Sequence, residues 1–197
     1  MDNMIIIEDI VPKHFQQEIQ NNLLGDNFPW YYNIDTAELN NKYACCIDKN
    51  TRDVKQFVHS FRNSNGSTSD YYSMVTPFLV ILENIFERNF ADRVIRIKTN
   101  LIPKHSDFPE NFYNAPHSDW GSVNPDEKSE TLLYYVNDSD GDTFIFNEKP
   151  PAENLTIKHR VSPKKGRAIL FDSNYLHAGQ PPRMADERCV INFVFRR

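Results

Sequence analysis

A chain of 197 residues is long enough to bury one core and short for two, so a single domain spanning residues 1–197 is expected. Its formal net charge of -5, from 22 basic against 27 acidic residues, lacks the basic excess of a phosphate-tracking protein, which argues against nucleic acid as a partner. Three cysteines, two of them adjacent at Cys45 and Cys46, cannot form a disulfide framework, so a reducing, cytoplasmic setting is expected, with the thiols as packing groups.

The first apolar run, Met4-Ile5-Ile6-Ile7, is cut by Glu8 and Asp9. It is too short and too charged for a signal peptide or a membrane span, and it reads as a strand. Residues 13–25 follow as a short amphipathic helix with Phe15, Ile19 and Leu23 on one side and Gly25 as its C-terminal cap. The aromatic cluster Phe28-Pro29-Trp30-Tyr31-Tyr32 can line a cleft or anchor a loop to the core, and the second use is the commoner one. Val54, Phe57, Val58 and Phe61 recur at helical intervals and predict a helix over 53–61, with His59 on its exposed side. Residues 62–70 are a loop by composition. A longer helix over 71–88 follows, with Ser69 or Asp70 suited to cap it and Pro77 separating or kinking its first turns.

From Arg93 the pattern changes to short alternating segments divided by turn residues, as in an all-β sandwich or barrel. Val94, Ile95, Ile97 and Leu101 mark the first strand, and 104–114 is a polar loop. In the extended segment His117-Ser118-Asp119, side chains two apart share a face, so an imidazole and a carboxylate aim at one point. Pro116 favours that extended reading. Two imidazoles and a carboxylate on one face of an octahedral ion make the facial triad of non-haem Fe(II) oxygenases, and the third ligand would be His177. The Gly- and Pro-bearing loop 121–130 sits beside this site and suits either a lid or a plain surface loop. Residues 131–137, apolar on both faces, predict a strand, as do 142–146, the half-buried 155–161, 167–171 and 189–195.

The order H-x-D, turn and strand, then His177, then Arg188 opening a last strand resembles the 2-oxoglutarate- and Fe(II)-dependent dioxygenases. The closer likeness is to small viral or bacterial members of the prolyl 4-hydroxylase-like branch, over roughly residues 93–197. That resemblance implies an α+β chain built on a double-stranded β-helix, or jelly roll, with N-terminal helices packed on one sheet. Residues 1–92 would be mainly helical support and 93–197 the catalytic core. It further implies His117, Asp119 and His177 as ligands of Fe(II), and Arg188, eleven positions after His177, as partner of the far carboxylate of 2-oxoglutarate. A planar guanidinium meets a buried carboxylate with two charge-assisted bonds, which suits that role, and Arg183, set among prolines, is its competitor. Tyr135 matches the family tyrosine that bonds the same carboxylate, and Asn192 is a further candidate facing the barrel interior. Asp140 and Asp142 depart from the family's glycine and glutamate at the preceding turn.

The implied reaction couples decarboxylation of 2-oxoglutarate by O2, giving succinate and CO2, to hydroxylation of a C–H bond, with ascorbate a supporting reductant. Asp119 argues against halogenation, since halogenating relatives lack the carboxylate ligand. The substrate suggested is a prolyl residue of a protein or peptide, with a small molecule the alternative. Competing readings are a non-catalytic jelly-roll binding protein, a small-metabolite oxygenase, and an AlkB-like demethylase, whose R-x5-R pattern Arg188 does not open here. Oligomeric state is not legible.

Overall fold

The computed structural model describes residues 4–37, 46–119 and 128–197. Among the described residues, ten strands make two antiparallel sheets: β1 (Ile5–Ile7), β2 (Tyr31–Asn33), β3 (Gln56–Arg62), β4 (Val94–Pro103), β5 (Ser129–Tyr135), β6 (Thr143–Phe146), β7 (Ile157–Val161), β8 (Ala168–Asp172), β9 (His177–Gly179) and β10 (Glu187–Arg196). The larger sheet runs β1-β8-β5-β10-β4-β3-β2 and the smaller β7-β6-β9, the two-sheet arrangement that the alternating pattern predicts and the jelly roll that the family resemblance implies.

Why β5 and β10 are apolar on both faces follows from what lies on each side of the large sheet. Leu132 and Tyr134 of β5, with Ile191, Phe193 and Phe195 of β10, point outward into a core closed by two helices, α1 (Lys13–Leu23) and α2 (Thr76–Phe86). Leu133, Tyr135 and Val190 point the other way, against Ile145 and Val161 of the small sheet. A strand buried on both faces has no polar side to show, so its period of two is hidden in the sequence. Phe78 of α2 packs on Tyr134 and Phe193 with ring centroids 4.7 and 5.2 Å apart. Edge and tilted aromatic pairs of this kind contribute about 0.5–1.5 kcal/mol each beyond area burial.

The first helix forms where the sequence places it; the second begins at Thr76 and not at 71, with Val75 as its N-cap and no side-chain cap bond, so neither Ser69 nor Asp70 caps it. In α1 the buried residues Gln16, Ile19 and Leu23 fall three and four apart on the stripe facing the sheet. Just past its end, a Cβ on Gly25 would lie 2.6 Å from the Asn21 carbonyl oxygen, so the glycine is required by close approach. Pro77 lies in the first turn of α2, where its missing N–H has no intrahelical acceptor to lose, and a separate 3-10 turn at Tyr72–Met74 precedes it.

Two expectations are corrected. Residues 53–61 are not a helix: 56–62 form β3, paired to β4 and β2. His59 is buried, with Nδ1 2.9 Å from the Pro29 carbonyl and Nε2 3.0 Å from the Ser69 hydroxyl. A carbonyl only accepts, so Nδ1 carries a proton, and the Ser69 hydroxyl, able to donate or accept, satisfies Nε2. The segment 1–92 is therefore not helical support alone, because β1, β2 and β3 join the large sheet. The aromatic cluster divides, Phe28 entering the core while Tyr31 and Tyr32 stay exposed. Among the described residues, no helix is long and apolar enough to cross a membrane.

Candidate metal and cosubstrate site

The two histidines meet because their backbones pair. His117 N–H donates to the His177 carbonyl at 3.0 Å and His177 N–H returns the bond at 2.9 Å, an isolated antiparallel bridge that sets both imidazoles on one side. Their ring centroids are 4.6 Å apart. So the H-x-D segment stands on a single bridge rather than in a long strand. Asp119 follows on the same side, its N–H held by the Ser173 carbonyl at 3.2 Å, and Oδ2 lies 3.4 Å from His177 Nε2. One potential ligand atom from each of His117, Asp119 and His177 lies within 4.8 Å of the others.

Each imidazole is also turned for a cation. Nδ1 of His117 is 3.0 Å from the Ala115 carbonyl and Nδ1 of His177 is 3.2 Å from the Tyr175 carbonyl. A carbonyl fixes the proton on Nδ1 and leaves the Nε2 lone pair free, the outer-shell arrangement that orients metal-bound histidines. Asp119 is held on both oxygens. Arg96 donates to Oδ1 at 2.7 Å, while Thr131 and Asn192 donate to Oδ2 at 2.8 and 3.0 Å. Burial alone would raise its pKa, but His177, Arg96 and His117 outweigh it and hold the carboxyl well below the usual range. Burial, with the repulsion a second imidazolium at His177 would exert, pushes His117 down to about 3. The donor set is thus a neutral imidazole, an anionic carboxylate and a second correctly turned imidazole, and it fits Fe(II).

A pH prediction follows. With His117 depressed from 6.5 to about 3, the unfolded chain binds more protons than the native one between those values. Stability from this group is present above the unfolded pKa and is lost as pH falls toward the folded value. Asp119, also depressed, adds a loss below its ordinary 3.8. Denaturant titration of metal-free protein is expected to lose up to about 1.4 kcal/mol per pH unit below pH 6.5 from His117, less in practice because the ring is part-exposed. A His117→Asn variant should flatten that slope; an identical slope in both proteins overturns the assignment.

Beside the histidines a cleft runs to Arg188, which, like Asn192, His117 and His177, lines it. Arg188 is buried, with Nε donating to the Gly141 carbonyl at 2.8 Å and Nη2 to the Thr143 hydroxyl at 2.7 Å. Among the described residues no carboxylate forms an ion pair with it, and burial lowers its pKa. Two glycines make room for it: a Cβ on Gly179 would lie 3.2 Å from Nη1, and one on Gly141 would lie 3.0 Å from Cδ and 2.3 Å from the Gln180 carbonyl oxygen. Arg183 instead is part-exposed, is not among the residues that line the cleft, and lies 3.8 Å from Glu110.

Tyr135 lies under the cleft, its hydroxyl donating to Thr143 at 2.8 Å, so Thr143 joins the tyrosine and the arginine. Burial pushes Tyr135 up to about 12. Asn192 is committed through Nδ2 to Asp119, which makes it a holder of that carboxylate, while its Oδ1 is buried without a partner. Sequence reasoning missed Arg96, Thr131, Thr143, Lys98 and Asn114. The signal for Arg96 and Lys98 was the alternation Arg96, Lys98, Asn100 against Ile95, Ile97, Thr99; such a polar face is ordinarily solvated, and here it looks into the site. Of the predicted lid, residues 121–127 lie outside the described residues, as do Trp120 and Cys45, and Ser129 and Glu130 belong to β5.

Residues 103–196 match the model of the 2OG-Fe(II) oxygenase superfamily. No curated protein matches. Among solved structures, the chain is similar in fold to an oxidoreductase of the 2OG-Fe(II) oxygenase family from Burkholderia pseudomallei, with a TM-score of 0.62, 14% identity, and 98% of this chain and 86% of that one covered. It is similar also to a Trichoplax adhaerens prolyl hydroxylase solved with a hypoxia inducible factor peptide fragment (TM-score 0.59, 13% identity, 99% and 84% covered). A third is a viral collagen prolyl hydroxylase from Paramecium Bursaria Chlorella virus-1, solved with 2OG (TM-score 0.53, 14% identity, 98% and 95% covered).

Proposed function

We propose, from the premise that residues 103–196 are a 2OG-Fe(II) oxygenase domain, that this chain hydroxylates a C–H bond of a prolyl residue in a protein or peptide. When bound, Fe(II) with 2-oxoglutarate and O2 supplies the oxidant, the cosubstrate leaving as succinate and CO2 while one oxygen atom enters the substrate as a hydroxyl group. His117, Asp119 and His177 would hold the ion, and Arg96, Thr131 and Asn192 keep Asp119 ionised and aimed. Arg188 would receive the far carboxylate of 2-oxoglutarate, steadied from behind by Thr143 and Tyr135. The observation that carries the reading is the meeting of the three ligand atoms in the cleft that Arg188 also lines. A non-catalytic jelly roll needs no such meeting. The prolyl substrate is supported by the likeness to prolyl hydroxylases.

The test uses the full chain with Fe(II), ascorbate, 2-oxoglutarate and prolyl peptides. Expected are succinate release that a chelator abolishes and a mass gain of one oxygen on proline. Succinate release without peptide oxidation retires the prolyl substrate, and no succinate under any condition retires the oxygenase.

A further inference from the structure

Arg188 is not the only cation lining the cleft. In the register of β10 on β4, Arg188 faces Ile102, Val190 faces Asn100 and Asn192 faces Lys98. At ~3.3 Å per residue, Lys98 sits on the order of 13 Å along the sheet from the Arg188 row. It shares the row of Asn192, the residue that grips Asp119, so it stands at the metal end. A cosubstrate spanning from the proposed metal ligands to Arg188 would lie against β10, so the β4 side chains that line the cleft are the ones left for another group. On that side, Arg96 is taken by Asp119, and Asn100 and Gln56 are bonded to each other at 2.8 Å. Lys98 lines the cleft with no hydrogen-bond or ion-pair partner among the described residues.

Asn114 lines the same cleft. It is only 2% exposed, its backbone N–H is fixed to the Gly179 carbonyl at 3.0 Å, and neither its side-chain oxygen nor its nitrogen has a partner. A buried amide is seldom left unpaired, and this one faces a cavity where a ligand can pair it. One unpaired ammonium and one amide donor match a group with a single negative charge and two acceptor oxygens.

We infer that Lys98 and Asn114 form a carboxylate-reading subsite for the molecule that is hydroxylated, separate from Arg188. The inference rests on the oxygenase reading and deepens it. The substrate presents a carboxylate beside the carbon that reacts, either the α-carboxylate of a free amino acid or an acidic side chain next to the proline of a peptide.

The test is paramagnetic relaxation of ligand protons in full-length protein loaded with Mn(II) and 2-oxoglutarate. The probes are the free L-amino acids, their primary amides, and prolyl peptides carrying Asp or Asn beside the proline. A carboxylate probe is expected near the metal, with its amide or Asn counterpart weaker by about ten- to a hundredfold, the usual worth of a charge-assisted bond. Lys98→Met should bring the acid down to the level of the amide, Lys98→Arg should keep the preference, and Asn114→Ala should weaken acid binding, all with 2-oxoglutarate affinity unchanged. Relaxation of free acids or of Asp peptides tells which source is read. Equal binding of acids and amides, no carboxylate near the metal, or a Lys98→Met protein that loses 2-oxoglutarate instead each overturns the subsite. Failure of the wild-type protein to bind Mn(II) and 2-oxoglutarate appears earlier in the same experiment and takes the oxygenase reading down first.

Discussion

Changing Asp119 to alanine is expected to reduce succinate release to background, and His177→Ala to do the same. Each substitution removes a proposed ligand, so metal affinity should fall by more than the about 10–100-fold typical of losing an outer-shell partner. The aspartate variant carries a second consequence. Arg96, Thr131 and Asn192 all spend a donor on that carboxylate, which is itself 1% exposed. Breaking a buried pair typically costs about 3–5 kcal/mol, and the part-exposed Arg96 discounts that figure. Asp119→Asn keeps the shape and separates the two effects, because it can still bond Thr131 while lacking the charge. Calorimetric titration with Mn(II) should give one ion per wild-type chain and no saturable binding in a folded Asp119→Asn or His177→Ala protein. Wild-type affinity in either variant removes that residue from the ligand set.

What the sequence made legible was what sits close together in it or repeats with a period. His117 and Asp119 could be read because two residues apart in extended chain means one face, and their setting led on to His177. Arg188 was legible only through its order after His177; the burial that leaves it without a carboxylate is a property of Gly141, Thr143 and Gly179 folding over it. The holders of Asp119 were not legible. Arg96 is 23 residues away in sequence, and its register across the sheet is set by pairing that no local pattern records.

The misread segment, β3, fails for a related reason. Val54, Phe57, Val58 and Phe61 fit a helical spacing, yet the strand starts at Gln56 and uses both faces. Phe61 and His59 turn toward the aromatic cluster of Phe28, while Gln56 turns to the cleft and bonds Asn100. A polar residue buried for its hydrogen bonds breaks the apolar alternation that marks a strand, and the helical period is what remains. The same cause hides Lys98 and Asn114, whose polarity is directed at a cavity and not at water.

Arg188→Met is expected to weaken 2-oxoglutarate binding by about a hundred- to a few thousandfold, the equivalent of about 3–5 kcal/mol for one member of a buried charge pair. Two of its donors go to the Gly141 carbonyl and Thr143, and a guanidinium has five N–H groups, so Nη1 and half of Nη2 remain for an anion. Burial lowers its pKa, which means the cation is held at a cost that a bound carboxylate offsets. Removing the charge relieves that cost but orphans the buried Gly141 carbonyl, which costs about 1–3 kcal/mol, so the two effects oppose each other and the ligand-free variant is expected to lose no more than about that much. Arg188→Lys should fall between the two, since a point charge replaces a fork shaped for two parallel bonds. Mn(II) affinity should not move in either variant, because Arg188 touches none of the proposed ligands. Titration of Mn(II)-loaded protein with 2-oxoglutarate decides it. Unchanged affinity in Arg188→Met would pass the role to another cation, Arg183 or Lys98, whereas lost affinity with intact metal binding and fold leaves the cosubstrate's far carboxylate no other place than this guanidinium.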